Sequence, residues 1–572
     1  MKSWIIREEI PEIANENLKA YPELIRALLY QRGIETKDDA RIFLNPDYAR
    51  DVHDPFKLLN MERSAERIIE AIEKGERIVV YADYDADGIP GSVVMHDFLV
   101  AIGYENFEIY IPHRYDEGYG LNIPAVEQFA IQGVNLIITI DCGITDILEV
   151  ARASELGIDV IVTDHHLPQK KLPEAYAIIN PNQDGDTYPF PHLCGGGLAF
   201  KLVQGLLKKG EFENLTEGWE KWLLDAAGIS TMSDMVPLRG ENRVIASFGL
   251  HVLKKNKRVG IQKLLQKKGI RNGDLTEDDV GFIITPHINA ASRMATPRDA
   301  FKMLSTKDFD EASQIVRFLS GKNEERKKLV ERILEEIDEE LQKNNDESLI
   351  SLGNRSWPPG VLGLAAHRVM EKHGKPVCLW GGGESTALRG SCRSDGSVNI
   401  VDLMSELPDG YMRDFGGHEF SGGFSLTEEG VTEFSKRLLS AYTRLKKNIE
   451  EEPVYIDKEL NVEDITWQTF NLIQTLAPFG RENPKPVFLF KNILIKRVEY
   501  FGKEKNHLKL ILQKESGEEI EAIKFFWGPD EFGGFVPIEN MKVDLVANLE
   551  KSIFFRKVSL RLRILIIKEV SA

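Results

Sequence analysis

Four acidic or histidine-bearing clusters in this chain have the residue types and spacing to do chemistry: Asp83-Tyr84-Asp85-Ala86-Asp87-Gly88, Asp141-Cys142-Gly143, Asp164-His165-His166, and Asp234. Carboxylates and imidazoles are ligands for divalent cations, and carboxylates that converge repel one another unless cations neutralise them. Each of the first three clusters follows an apolar run: Ile78-Val79-Val80-Tyr81, Leu136-Ile137-Ile138-Thr139-Ile140 and Val160-Ile161-Val162-Thr163. Runs of this kind are strands, and ligands of open parallel sheets collect beyond the carboxyl ends of strands. Acids at three strand ends should therefore meet, with Asp234 joining them from the segment after Ala226-Ala227-Gly228-Ile229-Ser230. Aspartates and histidines together suit a pair of divalent ions, and paired ions suit phosphoryl chemistry.

Asp83-x-Asp85-x-Asp87-Gly88 also opens like a calcium loop, but that motif needs a bidentate Glu at its twelfth position. Val94 stands there, and a strand rather than a helix leads in, so the calcium loop is excluded. A helix starting near Pro90 needs an N-cap. Asp87 is assigned that supporting role, leaving Asp83 and Asp85 for metal. Neighbouring residues on an extended turn point opposite ways, so one of His165 and His166 is expected to ligate while the other meets substrate or supports the ligands. Imidazole among carboxylates favours Mn²⁺, with Mg²⁺ as its competitor. Asp234, read alone before Met235-Val236-Pro237, is no more than a turn former.

The elements that must position these residues fall into several units. A length of 572 residues is too long for a single core. Residues 1–75 are mostly helical in pattern, and residues 76–320 alternate short apolar runs with helices, the mark of a doubly wound α/β domain. Residues 321–347 are amphipathic, with Leu329, Ile333, Ile337 and Leu341 repeating every four positions, which reads as a linking helix. Residues 348–450 form a second, glycine-rich α/β unit, and residues 451–572 break into short β segments that imply a small barrel.

The longest apolar runs fall far short of the ~20 residues of a membrane span. The N-terminus turns acidic too soon for a secretory signal, so a cytoplasmic protein without membrane contact is expected. Cys142, Cys194, Cys378 and Cys392 show neither CxxC nor zinc spacing and are expected as reduced thiols. A net charge of −18 argues against a protein that coats nucleic acid, yet local basic strips and bound cations can reverse the field inside a groove. One such strip is the alternation of Lys557, Ser559, Arg561 and Arg563 with Val558, Leu560, Leu562 and Ile564, an apolar inner face and a basic outer one. Tyr500, Phe501, Phe525, Phe526 and Trp527 could stack bases, but most are expected in the core.

The four clusters, in their order and spacing, resemble the signature motifs of the DHH phosphoesterase superfamily. That resemblance implies that Asp83, Asp85, Asp141, His165 and Asp234 carry two Mn²⁺ or Mg²⁺ ions, with Asp164 and His166 beside them. Gly416-Gly417-His418 and Arg389-Gly390-Ser391-Cys392-Arg393 resemble the substrate-binding elements of the DHH-associated domain, with Ser421 and Gly422 replacing the usual alanines. Asn289 and Arg293 match a further substrate-binding segment, in which His287 stands where the family commonly has Arg; similarly, Pro358 replaces a common His.

The whole length, including Leu476-Ala477-Pro478-Phe479-Gly480-Arg481-Glu482-Asn483-Pro484, is similar to the RecJ family of exonucleases. This implies an α/β DHH domain with a parallel sheet, a linking helix, a DHH-associated domain and a C-terminal oligonucleotide-binding (OB) barrel. It also implies 5′-to-3′ hydrolysis of single-stranded DNA to 5′-mononucleotides in DNA repair and recombination, by a monomer working with a helicase and a single-strand-binding protein. Arg561 and Arg563 would bind the strand. Two alternatives have different requirements. A DHH phosphodiesterase of small nucleotides or short RNA would not need the β-rich end, and a catalytically silent replication scaffold would not need intact metal motifs.

Overall fold

The computed structural model describes residues 3–255, 257–343, 348–382, 388–408, 410–448, 452–503, 505–528, 532–554 and 557–570. Met1 and Lys2, the expected boundaries near residues 347 and 450, and the Lys557 side chain lie outside the described residues.

A five-stranded parallel sheet carries the acids, in the order Phe107–Tyr110, Arg77–Ala82, Val134–Ile140, Asp159–Thr163, Ala177–Ile179. Its strands are continuously apolar because both faces are covered. Ile78, Val80, Leu136 and Ile138 face a core shared with the helices Met61–Lys74, Gly88–Ala101 and Gly195–Lys209. Val79, Tyr81, Ile137 and Val160 face the opposite core, under the helices Ile123–Ile131 and Ile147–Glu155. The next residue after each of three strands extends the ladder sideways. Asp83 N–H donates to Ile140 O (3.1 Å), Asp141 N–H to Thr163 O (2.9 Å) and Asp164 N–H to Ile179 O (3.1 Å), so the three acids stand level on one edge.

The helix Phe309–Lys343 has 35 residues, which spans about 52 Å at the helical rise. Its first half buries Val316 and Leu319 in the core of the first lobe; its second half buries Val330, Ile333 and Ile337 against Trp357 and Val361 of the second. Trp357 Nε1–H also donates to Glu336 on this helix (2.6 Å). It is thus a shared rod with one end embedded in each lobe.

The second lobe is a five-stranded mixed sheet in the order Met412–His418, Ser421–Leu426, Leu388–Arg393, Val377–Gly381, Ile350–Asn354, with only the last pair parallel. Its register sets Cys378 directly opposite Cys392, with Cα atoms 4.2 Å apart, and the two form a disulfide. The expectation of four free thiols therefore fails for this pair and holds for buried Cys142 and Cys194. Linear spacing gave no hint, because strand pairing creates the contact.

Phe488–Phe501, His507–Gln513, Glu519–Lys524, Lys557–Glu569 and Lys542–Phe554 form a barrel that closes when the first strand also pairs with the last. The N-terminal segment packs on this barrel: Trp4–Ile6 pairs with Val454–Ile456, while Leu28, Leu29, Ala40 and Phe43 enter the barrel core. Buried Arg243 of the first lobe fastens the assembly. It donates to Phe43 O (2.6 Å), Leu476 O (3.0 Å) and Ala477 O (3.0 Å) and lies 3.7 Å over the Phe43 ring. Arg243→Leu leaves these buried carbonyls unpaired and should lower stability by about 3 kcal/mol, read by urea unfolding, with faster proteolysis in the Leu476–Pro484 connection.

Candidate active site

The three level acids and the residues after them crowd one end of the sheet. Asp141 takes a left-handed backbone (φ 64°) that turns its carboxylate back over the strand ends. Gly195, at the start of the Gly195–Lys209 helix, passes so close that any side chain there would strike the Asp141 carboxylate. Ligand atoms within 4.8 Å of one another form three overlapping groups: Asp83, Asp85 and Asp141; Asp141, His165 and His166; and Asp87, His165 and Asp234. His165 Nε2 lies 3.1 Å from Asp141, 3.5 Å from Asp87 and 3.7 Å from Asp234.

The capping roles expected for the first cluster are exchanged. Asp85 Oδ1 accepts from the Asp87 and Gly88 amides (2.7 and 3.2 Å), so Asp85 caps the Gly88–Ala101 helix. Asp87 occupies the cap position but makes no cap hydrogen bond. Its carboxylate instead accepts from the Gly195 and Gly196 amides (2.7 and 2.8 Å), the positive end of another helix, and from Ser230 Oγ. Only the tertiary structure brings that helix end to Asp87, and it places Asp87 among the candidate ligands.

Burial, followed by repulsion from neighbouring aspartates, raises Asp83 and Asp141 well above the carboxylate range and pushes Asp234 up to about 8. Asp83 Oδ1 and Asp141 Oδ1 are buried with no hydrogen-bond partner. Orphaned acceptors on repelling carboxylates suit divalent cations, so the residues present fit a metal pair. Asp164 is compensated differently. It accepts from the Ile144, His165 and His166 amides and pairs with His166 Nδ1 (2.7 Å). Burial would lower His166, but the Asp164 pair and the fields of Asp87 and Asp234 outweigh it and raise it to about 9. Burial lowers His165. His165 is thus a candidate ligand common to two of the three groups, while His166 is paired with Asp164 at the rim of the cleft.

Asp83, Asp85, Asp141, Asp234 and His166 line a cleft of about 270 Å³ with Tyr84, Arg114, Tyr119, Asn289 and Arg293. Arg114 and Tyr119 belong to this wall without any sequence motif that singles them out. Arg114 lies 4.8 Å over the Tyr84 ring, and Tyr119 Oη reaches Asp141 O (3.2 Å) and His166 Nδ1 (3.1 Å). Burial pushes Arg293 down to about 10, with Arg114, Arg326 and Arg393 adding repulsion, so the guanidiniums of both lobes share one field.

Arg389, Ser391 and Arg393 alternate on one face of their strand, and Arg393 donates to Ser391 Oγ (2.9 Å). Gly416, Gly417 and His418 occupy the edge strand of the same sheet and are exposed. His287 is buried rather than set in the cleft, with Nδ1 2.6 Å from Ile283 O. Arg561 and Arg563 lie outside the cleft, on the barrel. Arg561 pairs with Glu550 (3.1 Å), and Arg563 lies 4.2 Å over Phe525. The aromatics expected mostly in the core divide: Trp527 packs against the barrel core and Phe501 and Phe525 are largely buried, whereas Phe526 is 75% exposed and Tyr500 39%.

Residues 77–229 match the DHH family, N-terminal domain, and residues 346–444 match the DHHA1 domain. Fold and site therefore define a DHH phosphoesterase, with Asp234, Asn289 and Arg293 beyond the matched segments. Residues 456–565 match the RecJ OB domain. The single-stranded-DNA-specific exonuclease RecJ of Bacillus subtilis is 36% identical over 529 residues, covering 91% of this chain and 66% of that protein, so this chain spans just under two thirds of that relative's length. The Haemophilus influenzae enzyme of the same name is 31% identical over 550 residues, covering 92% of each chain. The crystal structure of Thermus thermophilus RecJ in complex with Mn²⁺ matches with a TM-score of 0.82 at 25% identity, over 100% of this chain and 80% of that one. The chain belongs to the RecJ family.

Two measurements probe the site. Removing one of several repelling buried carboxylates relieves repulsion, so metal-free Asp141→Asn should melt no lower than the wild-type protein, while added Mn²⁺ should raise the Tm of the wild type alone. His287 sits at about 4, below its usual value, because burial disfavours its charged form. As pH falls from about 6.5 towards 4, the unfolded chain takes up a proton that the native state refuses, with a loss of up to about 3 kcal/mol. His287→Gln should remove that part of the slope, so between pH 7.5 and 5 the wild type should lose more stability in urea than the variant.

Proposed function

We propose that this protein is a metal-dependent exonuclease that hydrolyses single-stranded DNA from its 5′ end to 5′-mononucleotides. The observation that carries this reading is the cleft itself: orphaned, repelling carboxylates on one wall and the Arg114 and Arg293 guanidiniums on the other. A phosphodiester is the substrate group that satisfies both walls at once, its bridging phosphorus next to cations and its anionic oxygens next to arginines. The RecJ relatives, named for single-stranded DNA, and the OB barrel support a polynucleotide over a dinucleotide.

Asp83, Asp85, Asp87, Asp141, His165 and Asp234 would hold two divalent ions, with Asp141 and His165 shared between the ligand groups. Such ions supply Lewis acidity and a water acidic enough to attack at neutral pH. The remaining work belongs to the side chains. Arg114 and Arg293 orient the phosphate, and Asn289 offers an amide beside them. Asp164 keeps His166 protonated, and Tyr119 holds the imidazolium in place, so that His166 can donate to an oxygen that gains charge in the transition state. Across the interlobe contact, Arg389, Ser391, Arg393, Gly416, Gly417 and His418 would bind the terminal nucleotide. Burial of the attacked group in a 270 Å³ cleft favours a single strand over a duplex.

Mn²⁺ is the preferred ion, with Mg²⁺ as its substitute. No helix among the described residues is long and apolar enough to cross a membrane. A monomer in the cytoplasm, fed by a helicase and meeting strands coated by single-strand-binding protein, fits the reading.

With Mn²⁺ and oligonucleotides labelled at either end, the 5′-labelled single strand should release labelled mononucleotide from the first time point while duplex survives. Asp141→Ala should lower that rate at least about a thousandfold with unchanged circular dichroism. Dinucleotide hydrolysis with long strands intact would instead identify a small-nucleotide phosphodiesterase.

A further inference from the structure

The barrel contributes more to the cleft than a remote binding surface. The loop that leads into it, Leu476–Pro484, is fastened from several sides. Buried Asn483 donates to Leu476 O and Pro478 O (both 2.8 Å) and accepts from Arg32 Nε (2.7 Å). Leu238 N–H donates to Arg481 O (2.9 Å), Arg239 Nε–H donates to Glu482 O (3.2 Å), and Gly480 packs on Leu238. Leu238 and Arg239 lie only four and five residues beyond Asp234, so the backbone at Arg481 is pinned to the segment that supplies that acid.

The loop holds Arg481 by its carbonyl and leaves its side chain available. The guanidinium is exposed and, among the described residues, has no hydrogen-bond, ion-pair or ring partner. The chain beside Asp234 is open and apolar: Met235 is 67% exposed, and Ser233 Oγ lies 2.6 Å from Thr285 Oγ, which joins it to the segment that carries Phe282, 79% exposed. A fixed cation without a protein partner, next to an apolar step at the mouth of a phosphodiester cleft, matches a strand whose phosphates and bases alternate.

We propose that Arg481 is a substrate-binding residue of the catalytic cleft, supplied by the barrel domain, which contacts a backbone phosphate of the single strand at the cleft mouth. This rests on the exonuclease reading but is tested separately from it. Association with the barrel would then complete the substrate path, and Arg481 would hold the strand in register with the hydrolytic centre.

The test uses the full-length protein with Mn²⁺ and a fluorescein-labelled phosphorothioate (dT)₂₀, which resists hydrolysis, followed by anisotropy across a salt series. Arg481→Gln should weaken binding about tenfold and flatten the slope of log K against log[salt] by about 0.7, one phosphate contact on a single strand. Arg481→Lys should recover most of both. Mn²⁺ affinity, read from the metal-dependent Tm, should stay unchanged. An Arg481→Gln protein that binds with wild-type affinity and slope overturns the proposal. So does one whose Mn²⁺ affinity falls while the salt slope holds, because Arg481 would then only tune Asp234. Wild-type cleavage of an unmodified strand, run in parallel, decides the exonuclease reading; binding without cleavage would sink that reading and leave the Arg481 contact standing.

Discussion

Mutual repulsion among buried carboxylates is the constraint on which the rest of this structure depends. Three aspartates follow adjacent parallel strands, and the ladder sets their backbones level on one edge. Each neutralisation the chain supplies has its own source. Asp164 is compensated by His166 and three amides, Asp87 by a helix N-terminus and Ser230, and Asp85 by the amides of the helix it caps. Asp83 and Asp141 each keep a buried oxygen that accepts no hydrogen bond, although His165 Nε2 lies 3.1 Å from that of Asp141. The compensation is therefore selective: it fixes the geometry of every acid while leaving a site whose stable form requires cations.

The opposite wall depends on how closely the two lobes approach. The rod Phe309–Lys343 sets their spacing, because one half is buried in each lobe. The finer fit comes from Gly360, where an added side chain would collide with the Tyr115 hydroxyl. That hydroxyl donates to Arg293 O (3.1 Å), and Arg293 Nη1–H donates in turn to Gly360 O (2.8 Å). An arginine of the cleft thus doubles as an interlobe strut. Its guanidinium is positioned by the same contact that brings Arg393 into its field, so the cationic wall and the lobe interface form together.

The local part of this design was legible in the sequence and the relayed part was not. Strand identity, the acids after each strand, the amphipathic rod and the β-rich end all follow from patterns a few residues long. Asp87 was read as a cap because only the tertiary fold brings the Gly195–Gly196 amides to it. The Cys378–Cys392 bond depends on sheet register, and the packing of the N-terminal helices on the barrel joins segments more than 400 residues apart, as the Arg32–Asn483 contact shows. His287 stands where the family commonly has Arg, and its helix turns that position into the core, so the departure bears on stability.

The barrel's basic strand illustrates why alternation alone overstates a binding face. Residues 559–564 do alternate as expected, with Leu560, Leu562 and Ile564 buried inside, but Val558, expected on the same inner face, is 48% exposed near the strand's start. On the outside, however, Arg561 is already paired with Glu550 across the strand ladder, and a cation so paired gains less from an incoming phosphate. Arg563 has its guanidinium over Phe525 and no such ion pair among the described residues, and Phe525 in turn packs against the partly exposed rings of Phe501 and His507. Strand binding on the barrel should therefore centre on Arg563 and these rings rather than on Arg561. A chain with a net charge of −18 can attract a polyanion only where such local pairings leave cations unspent, as they do at Arg114 and Arg293 in the cleft and at Arg563 on the barrel.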